Sequence, residues 1–277
     1  MKKIRISSIW SYSDIKYSLL VSIIKNVLNY EITWTKPNNC DLLIVGPYEY
    51  NKTYRKFLKK TNLISIDIIQ EFLRGVYFKK EKPITIFYTS ENSRRDSEDC
   101  DFSIVSDFNY DNHTNMLSMP NWKEYIDWED YDIIRPTNVL NSKRLGFFYK
   151  IEDLIKPQGY EFIKKKKDVC CFFTKFDNFK RQTLDVLNNH FRVDGYGPAF
   201  DINIKNHNSS NFIKKDILKN YFANFCPENE IFPGWYTEKV IDSYLCHSLP
   251  ITWADVNINK FFNKNCFINL NSYDPKE

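Results

Sequence analysis

Residues 224–253 read NFCPENEIFPGWYTEKVIDSYLCHSLPITW, and their reading decides the fold. The stretch opens on the end of an apolar strand and passes into a polar loop holding Glu228 and Asn229. It continues into a helix beginning with Tyr236, Thr237, Glu238 and Lys239, then closes on the apolar run LPITW. Strand, loop, helix and strand in this order make one unit of a parallel α/β sheet. In such sheets polar groups gather just past the carboxyl ends of the strands, and a helix N-terminus directs backbone N–H groups at an anion. The arrangement suits a phosphate-bearing ligand such as a nucleotide sugar.

The same alternation runs outward in both directions. Upstream, DVCCFFT (168–174) is the first strand of this α/β unit, followed by a helix over about 178–190, a strand in FRVDGYG (191–197), an Asn-rich loop (201–211), a helix or turn at 213–220 and a strand at 221–226. A helix is expected over 236–247, with strands at 249–253 and in CFINL (266–270). A second unit precedes it. KIRIS (3–7) is a strand, and Ile15, Leu19, Leu20, Ile23, Ile24, Val27 and Leu28 fall at helical spacing within 13–29. A short strand follows at 31–35. CDLLIVG (40–46) and PITIFYTS (83–90) are continuous apolar runs of the kind buried in parallel sheets, and DFSIVS (101–106) adds another. A helix near 50–59 and short segments over 63–69 fill the interval. The aromatic and charged segment 120–158 breaks the rhythm, so the expectation is two Rossmann-like α/β domains facing across a cleft, covering 1–155 and 156–277.

Composition narrows the function classes. A chain of 277 residues with 43% hydrophobic content holds two ordinary domains. A net charge of +4, with basic residues scattered among acids, argues against nucleic acid as a partner. The lysine run Lys164–Lys167 reads as a solvated linker end. Seven irregularly spaced cysteines, with no C-x-x-C pair, point to buried thiols in a reducing compartment rather than a zinc site. His113, His190, His207 and His247 show no metal-ligand spacing, so no metal is expected. The start MKKIRISSIW lacks a signal-peptide apolar run, and no window is long enough to span a bilayer, so a cytoplasmic protein is expected.

The pattern E-N-x-x-x-x-G-x-x-T-E-K at 228–239, followed by an apolar helix and the P-I-x-W run at 250–253, resembles the α-1,3/4-fucosyltransferase family, glycosyltransferase family 10, in its soluble bacterial or viral type. The FYTSEN segment ending at Glu91 and Asn92 resembles the family's F-Y-x-x-E-N segment. This resemblance implies a GT-B fold and an inverting enzyme. Such an enzyme moves L-fucose from GDP-fucose to a hydroxyl of a GlcNAc- or glucose-containing glycan without a required cofactor. Its partners would be a GDP-sugar and an oligosaccharide or glycan acceptor, with membrane association only through a lipid-linked acceptor.

Carried over residue by residue, the resemblance makes Glu91 the general base, Arg181 and Lys239 the diphosphate contacts, and Asn229 and Glu238 the holders of donor hydroxyls. Trp235 and Tyr236 would line the donor. Read from residues alone, Glu91 is a loop glutamate pairing Arg94 or Arg95 and Glu238 a first-turn acid favoured by the helix dipole, while Arg181 is equally a helix-surface cation. Lys180, beside Arg181, shares or competes for its role. The Gly195-Tyr196-Gly197 segment reads as a plain turn. Three departures from the family stand out: Pro227 precedes Glu228, Trp235 takes a tyrosine position, and the last motif ends Thr252-Trp253-Ala254. These swaps bear on the donor sugar, which leaves open a different deoxy- or amino-deoxy-sugar donor or a non-catalytic sugar-binding relative. The family usually continues beyond the point where YDPKE ends this chain, so a short or trimmed member is expected.

Overall fold

The computed structural model describes residues 1–8, 15–46, 83–89, 100–108, 114–127, 149–156, 164, 167–201 and 210–272. They form two compact units, Met1–Met119 and Pro120–Glu277.

The first unit is a parallel sheet of β1 (Lys2–Ser8), β2 (Tyr30–Trp34), β3 (Leu42–Val45), β4 (Ile84–Tyr88), β5 (Phe102–Val105) and β6 (Met116–Ser118), in the order β2-β1-β3-β4-β5-β6. β3 is buried along its whole length, as its continuous apolar run requires. β6, a three-residue strand, carries too little periodicity to be read from sequence. The helical stretch after β1 consists of a 3-10 turn (Ile15–Tyr17), helix α1 (Leu19–Ser22) capped by the Ser18 hydroxyl, and a π turn (Ile23–Val27). Ile15, Leu20, Val21 and Ile24 pack on the sheet, whereas Val27, which ends the π turn, and Leu28, which follows it, are exposed. The helix expected near 50–59 and the segments at 63–69 lie outside the described residues.

The second unit is a parallel sheet of β7 (Lys167–Phe172), β8 (Val193–Tyr196), β9 (Tyr221–Phe225), β10 (Leu249–Thr252) and β11 (Ile268–Asn269), ordered β11-β10-β9-β7-β8. Helices α2 (Ile151–Ile155), α3 (Asn178–Asn188), α4 (Ser210–Leu218) and α5 (Lys239–Leu245) accompany it. One core cluster holds Val169, Cys171, Phe173, Leu184, Ala223, Phe225 and Ile251. Another joins Ile126 and Tyr149 to Cys170, Leu218, Tyr221 and Ile241.

That second cluster explains why the division falls at 119/120 rather than at 155/156. The Tyr236 carbonyl accepts the Trp122 N–H at 3.1 Å, and the Trp122 ring lies 5.6 Å from that of Phe262. The Tyr149 hydroxyl donates to the Asp242 carboxylate on α5. Residues 120–127 and 149–155 therefore bury their aromatic groups in the second unit.

Both sheets have the doubly wound parallel architecture expected. In the second, the chain leaves β7 for β8 on one side, then crosses to β9 on the other, so its topological switch point lies between β7 and β9.

Candidate active site

A cleft of about 400 Å³ opens at this switch point. Its walls are the turn after β7 (Phe172 to Asp177, with the exposed Lys175), the end of β9 with its loop (Asn224 to Pro227, and Asn229), and three lysines borne on helices, Lys180, Lys214 and Lys239. The lysines come from three different helices, and each is paired with a carboxylate.

Lys239, the first residue of α5, donates from Nζ to Glu228 at 2.7 Å. Glu228 is 1% exposed and also accepts the Thr237 N–H (2.8 Å) and hydroxyl (2.9 and 2.8 Å). A buried carboxylate is tolerated only when its lone pairs are filled, and here Thr237 and Lys239 fill them. The E-N…T-E-K spacing is thus a folding device: Glu228 fixes the turn so that Lys239 stands at the cleft wall. Gly234 (φ 99°) makes the turn between them, a backbone region closed to most side chains.

Lys180 sits in the first turn of α3, is 8% exposed, and pairs with Asp177 at 2.8 Å. Asp177 caps the helix by accepting the Lys180 N–H at 2.8 Å. The Phe179 ring stacks on Trp253 with centroids 4.1 Å apart, and the Trp253 carbonyl accepts the Glu228 N–H at 3.1 Å. The P-I-T-W run therefore braces the Lys180 helix and the Glu228 loop together. Lys214 of α4 donates to Asp242 at 2.6 Å.

Asp242 is 0% exposed. Burial raises its pKa, with the neighbouring Glu238 charge adding to the rise and Lys214 opposing it. Burial also pushes the Tyr149 hydroxyl well up, so it stays a proton donor to Asp242. Cys226 lines the cleft, but burial pushes its thiol up to about 12, which leaves it unreactive.

The sequence-derived candidates divide on this geometry. Asn229 and Lys239 meet at the cleft. Arg181 does not: it is exposed on α3 with its guanidinium 4.5 Å from the Phe176 ring centre, and its neighbour Lys180 takes the wall. A helix turns 100° per residue, so adjacent positions cannot share a face. Trp235 is buried against Phe232, with ring centres 5.5 Å apart. Tyr236 donates from its hydroxyl to Asp255 at 3.0 Å. Glu238 is buried, and its carbonyl accepts the Asp242 N–H. None of these three lines the cleft. Gly195 and Tyr196, expected in a plain turn, end strand β8, and Gly197 (φ 100°) passes so close to the Phe173 carbonyl that a Cβ would lie 2.5 Å from that oxygen, so packing accounts for this glycine. Glu91 lies outside the described residues. Sequence reasoning missed Lys214, whose Lys-Lys surroundings resemble any helix surface, and the Tyr149–Asp242 pair behind it. Among the described residues, no group of three or more His, Cys, Asp or Glu gathers to hold a metal, and no helix is long and apolar enough to cross a membrane.

Two parallel doubly wound units, one with a cation-lined cleft at its switch point, define a class of α/β proteins whose site suits an anionic ligand, and comparison with known proteins narrows it. Residues 162–277 match the model of the C-terminal part of glycosyltransferase family 10 (fucosyltransferase). The alpha-(1,3)-fucosyltransferase FucT of Helicobacter pylori is 26% identical over 210 residues, spanning 68% of this chain. The chain spans only 41% of that relative's length. A crystal structure of alpha1,3-fucosyltransferase superposes with a TM-score of 0.64 at 22% identity, covering 99% of this chain and 75% of the other. One described as its complex with GDP-fucose gives 0.63 at 21%, over the same shares. The fold is that of these enzymes, the GT-B class.

Proposed function

We propose that the chain is an inverting glycosyltransferase that moves L-fucose from GDP-fucose to a hydroxyl of a GlcNAc- or glucose-containing glycan. The observation that carries this reading is the lysine-walled cleft at the β7/β9 switch point, inside the stretch that matches the fucosyltransferase family. Departure of GDP leaves negative charge on the diphosphate. Pre-positioned ammonium groups stabilise that charge without reorganising during the reaction. Lys239, held by Glu228, and Lys180, held by Asp177, are the groups we assign to it. Asn229 at the rim is assigned to donor hydroxyls. Glu91 is assigned as the base that takes the acceptor proton as its oxygen attacks the anomeric carbon. Trp235, Tyr236 and Glu238 then serve from behind the cleft wall, as packing for the loop that carries Asn229 and Lys239.

The reading extends to turnover without a divalent cation, since the lysines supply the positive charge, and to a cytoplasmic site of action. Seven unpaired thiols, five of them buried, support a reducing compartment.

The test is transfer from a panel of GDP- and UDP-sugars to GlcNAc- and glucose-terminated oligosaccharides, with EDTA present. The expected result is transfer from GDP-fucose alone, with anomeric inversion by NMR. Glu91→Gln should lower the rate by about 10²- to 10⁴-fold, the range for loss of a general base, and leave GDP affinity unchanged. Preference for another sugar would replace the donor. Nucleotide binding without transfer to any acceptor would favour a non-catalytic relative.

A further inference from the structure

We infer that Lys214 is a third diphosphate ligand, held in place by the Tyr149–Asp242 pair; this rests on the nucleotide-sugar reading of the cleft. Lys214 is on α4, outside the E-N…T-E-K loop and outside the turn that carries Lys180, and it still reaches the same cleft. Its Nζ donates to Asp242 Oδ2 at 2.6 Å and lies 5.7 Å from the centre of the Phe172 ring. An ammonium has three N–H groups. Among the described residues, Asp242 is the single hydrogen-bond acceptor for this one, which leaves two donors at a wall of the cleft.

The geometry behind it argues for positioning rather than neutral packing. Asp242 is wholly buried, a place where a carboxylate costs more than an apolar group of the same size would. Its other oxygen accepts the Tyr149 hydroxyl, so both oxygens are tied and the carboxylate cannot swing. Lys239, three residues earlier on α5, has the same design with Glu228. Lys180 pairs differently, with Asp177, a half-exposed carboxylate that itself lines the cleft. Lys214 and Lys239 are therefore neutralised from behind and retain N–H groups on the cleft side. Such a site is stable empty and takes an anion without moving a side chain. Three ammonium groups from three helices suit a group with two phosphates better than one with a single phosphate.

The experiment is calorimetric titration of the full chain with GDP and with guanosine, for the unchanged protein, Lys214→Met, and Lys214→Met/Asp242→Asn. The double variant removes the buried charge that the single one strands, which keeps the protein folded. The expected result is a GDP affinity about 10- to 100-fold weaker in both variants, the loss of one charge-assisted hydrogen bond, with guanosine affinity unchanged. A purely structural role for Lys214 would lower GDP and guanosine affinity in step. That result, or GDP affinity unchanged in the double variant, overturns the inference alone. A folded, unchanged protein that binds no GDP overturns the nucleotide-sugar reading, and the inference with it.

Discussion

The two ends of the second sheet are built from the same residue types and do opposite things. Near the starts of β7 and β9, Lys167 donates to the Tyr221 hydroxyl at 2.9 Å, Tyr221 donates to Asp194 at 2.6 Å, and the Tyr196 and Tyr221 hydroxyls lie 2.5 Å apart. Arg192 adds a bond to Asp194 at 3.3 Å. The carboxylate and the two hydroxyls of this knot bond to other members of it, and no cleft opens on them. At the far ends of the same strands, Glu228 and Asp242 sit buried behind their lysines, and the ammonium groups meet a cleft. Lysine, carboxylate and hydroxyl do not by themselves mark a ligand site. The difference is whether the acid lies beside the cation at the surface or behind it.

The sharpest way to break that comparison is Lys239→Ala. It removes a cleft cation and leaves Glu228 buried with one partner fewer. GDP affinity should fall about 100-fold or more, the loss of more than one charged hydrogen bond, and the protein should lose about 3–5 kcal/mol of stability, the usual cost of stranding a buried charge. Lys239→Met/Glu228→Gln separates the two effects: thermal melting should recover while GDP affinity stays low. Recovery of both would mean that Lys239 only balances Glu228.

Next in size is the contrast within α3. Lys180→Ala should weaken GDP binding about 10- to 100-fold, as for one charge-assisted hydrogen bond. Arg181→Ala, which removes an exposed guanidinium lying on Phe176, should cost less than about twofold, in line with the small worth of surface charges. Calorimetry on both variants checks this, and the reverse order would return the phosphate role to Arg181.

Lys180 and Arg181 also mark where sequence reading stopped. Continuous apolar runs at 40–46, 83–90 and 168–174 and the alternation around 221–253 carried the architecture, because a strand buried on both faces leaves no polar position to misread. The loop residues Asn229 and Lys239 were legible because the motif spacing fixes a turn. Arg181 against Lys180 was not, since the choice depends on which way the first turn of α3 faces. That facing is set by the Phe179–Trp253 stack, a contact between residues 74 positions apart (253 − 179). Lys214 was hidden for the same reason, as its partner Asp242 comes from another helix. The segment 120–158 broke the alternation because its aromatic residues are spaced for neither helix nor strand. Among the described residues, Trp122, Tyr125 and Tyr149 serve as single anchors in the core of the second unit.

The smallest effect comes from the distal knot, and it is best seen through pH. The Tyr221 hydroxyl donates to Asp194 and holds its carboxyl below the ordinary value of 3.8, with Arg192 and Lys167 adding to the effect against some desolvation. A carboxyl with a lowered pKa in the fold contributes stability that is complete above its unfolded value and is lost as pH falls through the folded one. The unchanged protein should therefore shed this contribution only below about pH 4, where an unfolded aspartate begins to protonate. Asp194→Asn keeps an oxygen for Tyr221 but cannot titrate. Its melting temperature at neutral pH should fall by an amount matching about 1 kcal/mol or less, the range for a partly exposed ion pair. Its decline in acid should be shallower than that of the unchanged protein. GDP affinity at pH 7 should stay within about twofold, since the knot holds no group at the cleft. Thermal melts across pH 2–7 with one nucleotide titration check both halves. If Asp194→Asn weakened GDP binding as strongly as Lys180→Ala, the two ends of the sheet would be coupled, and the distinction drawn between them would fail.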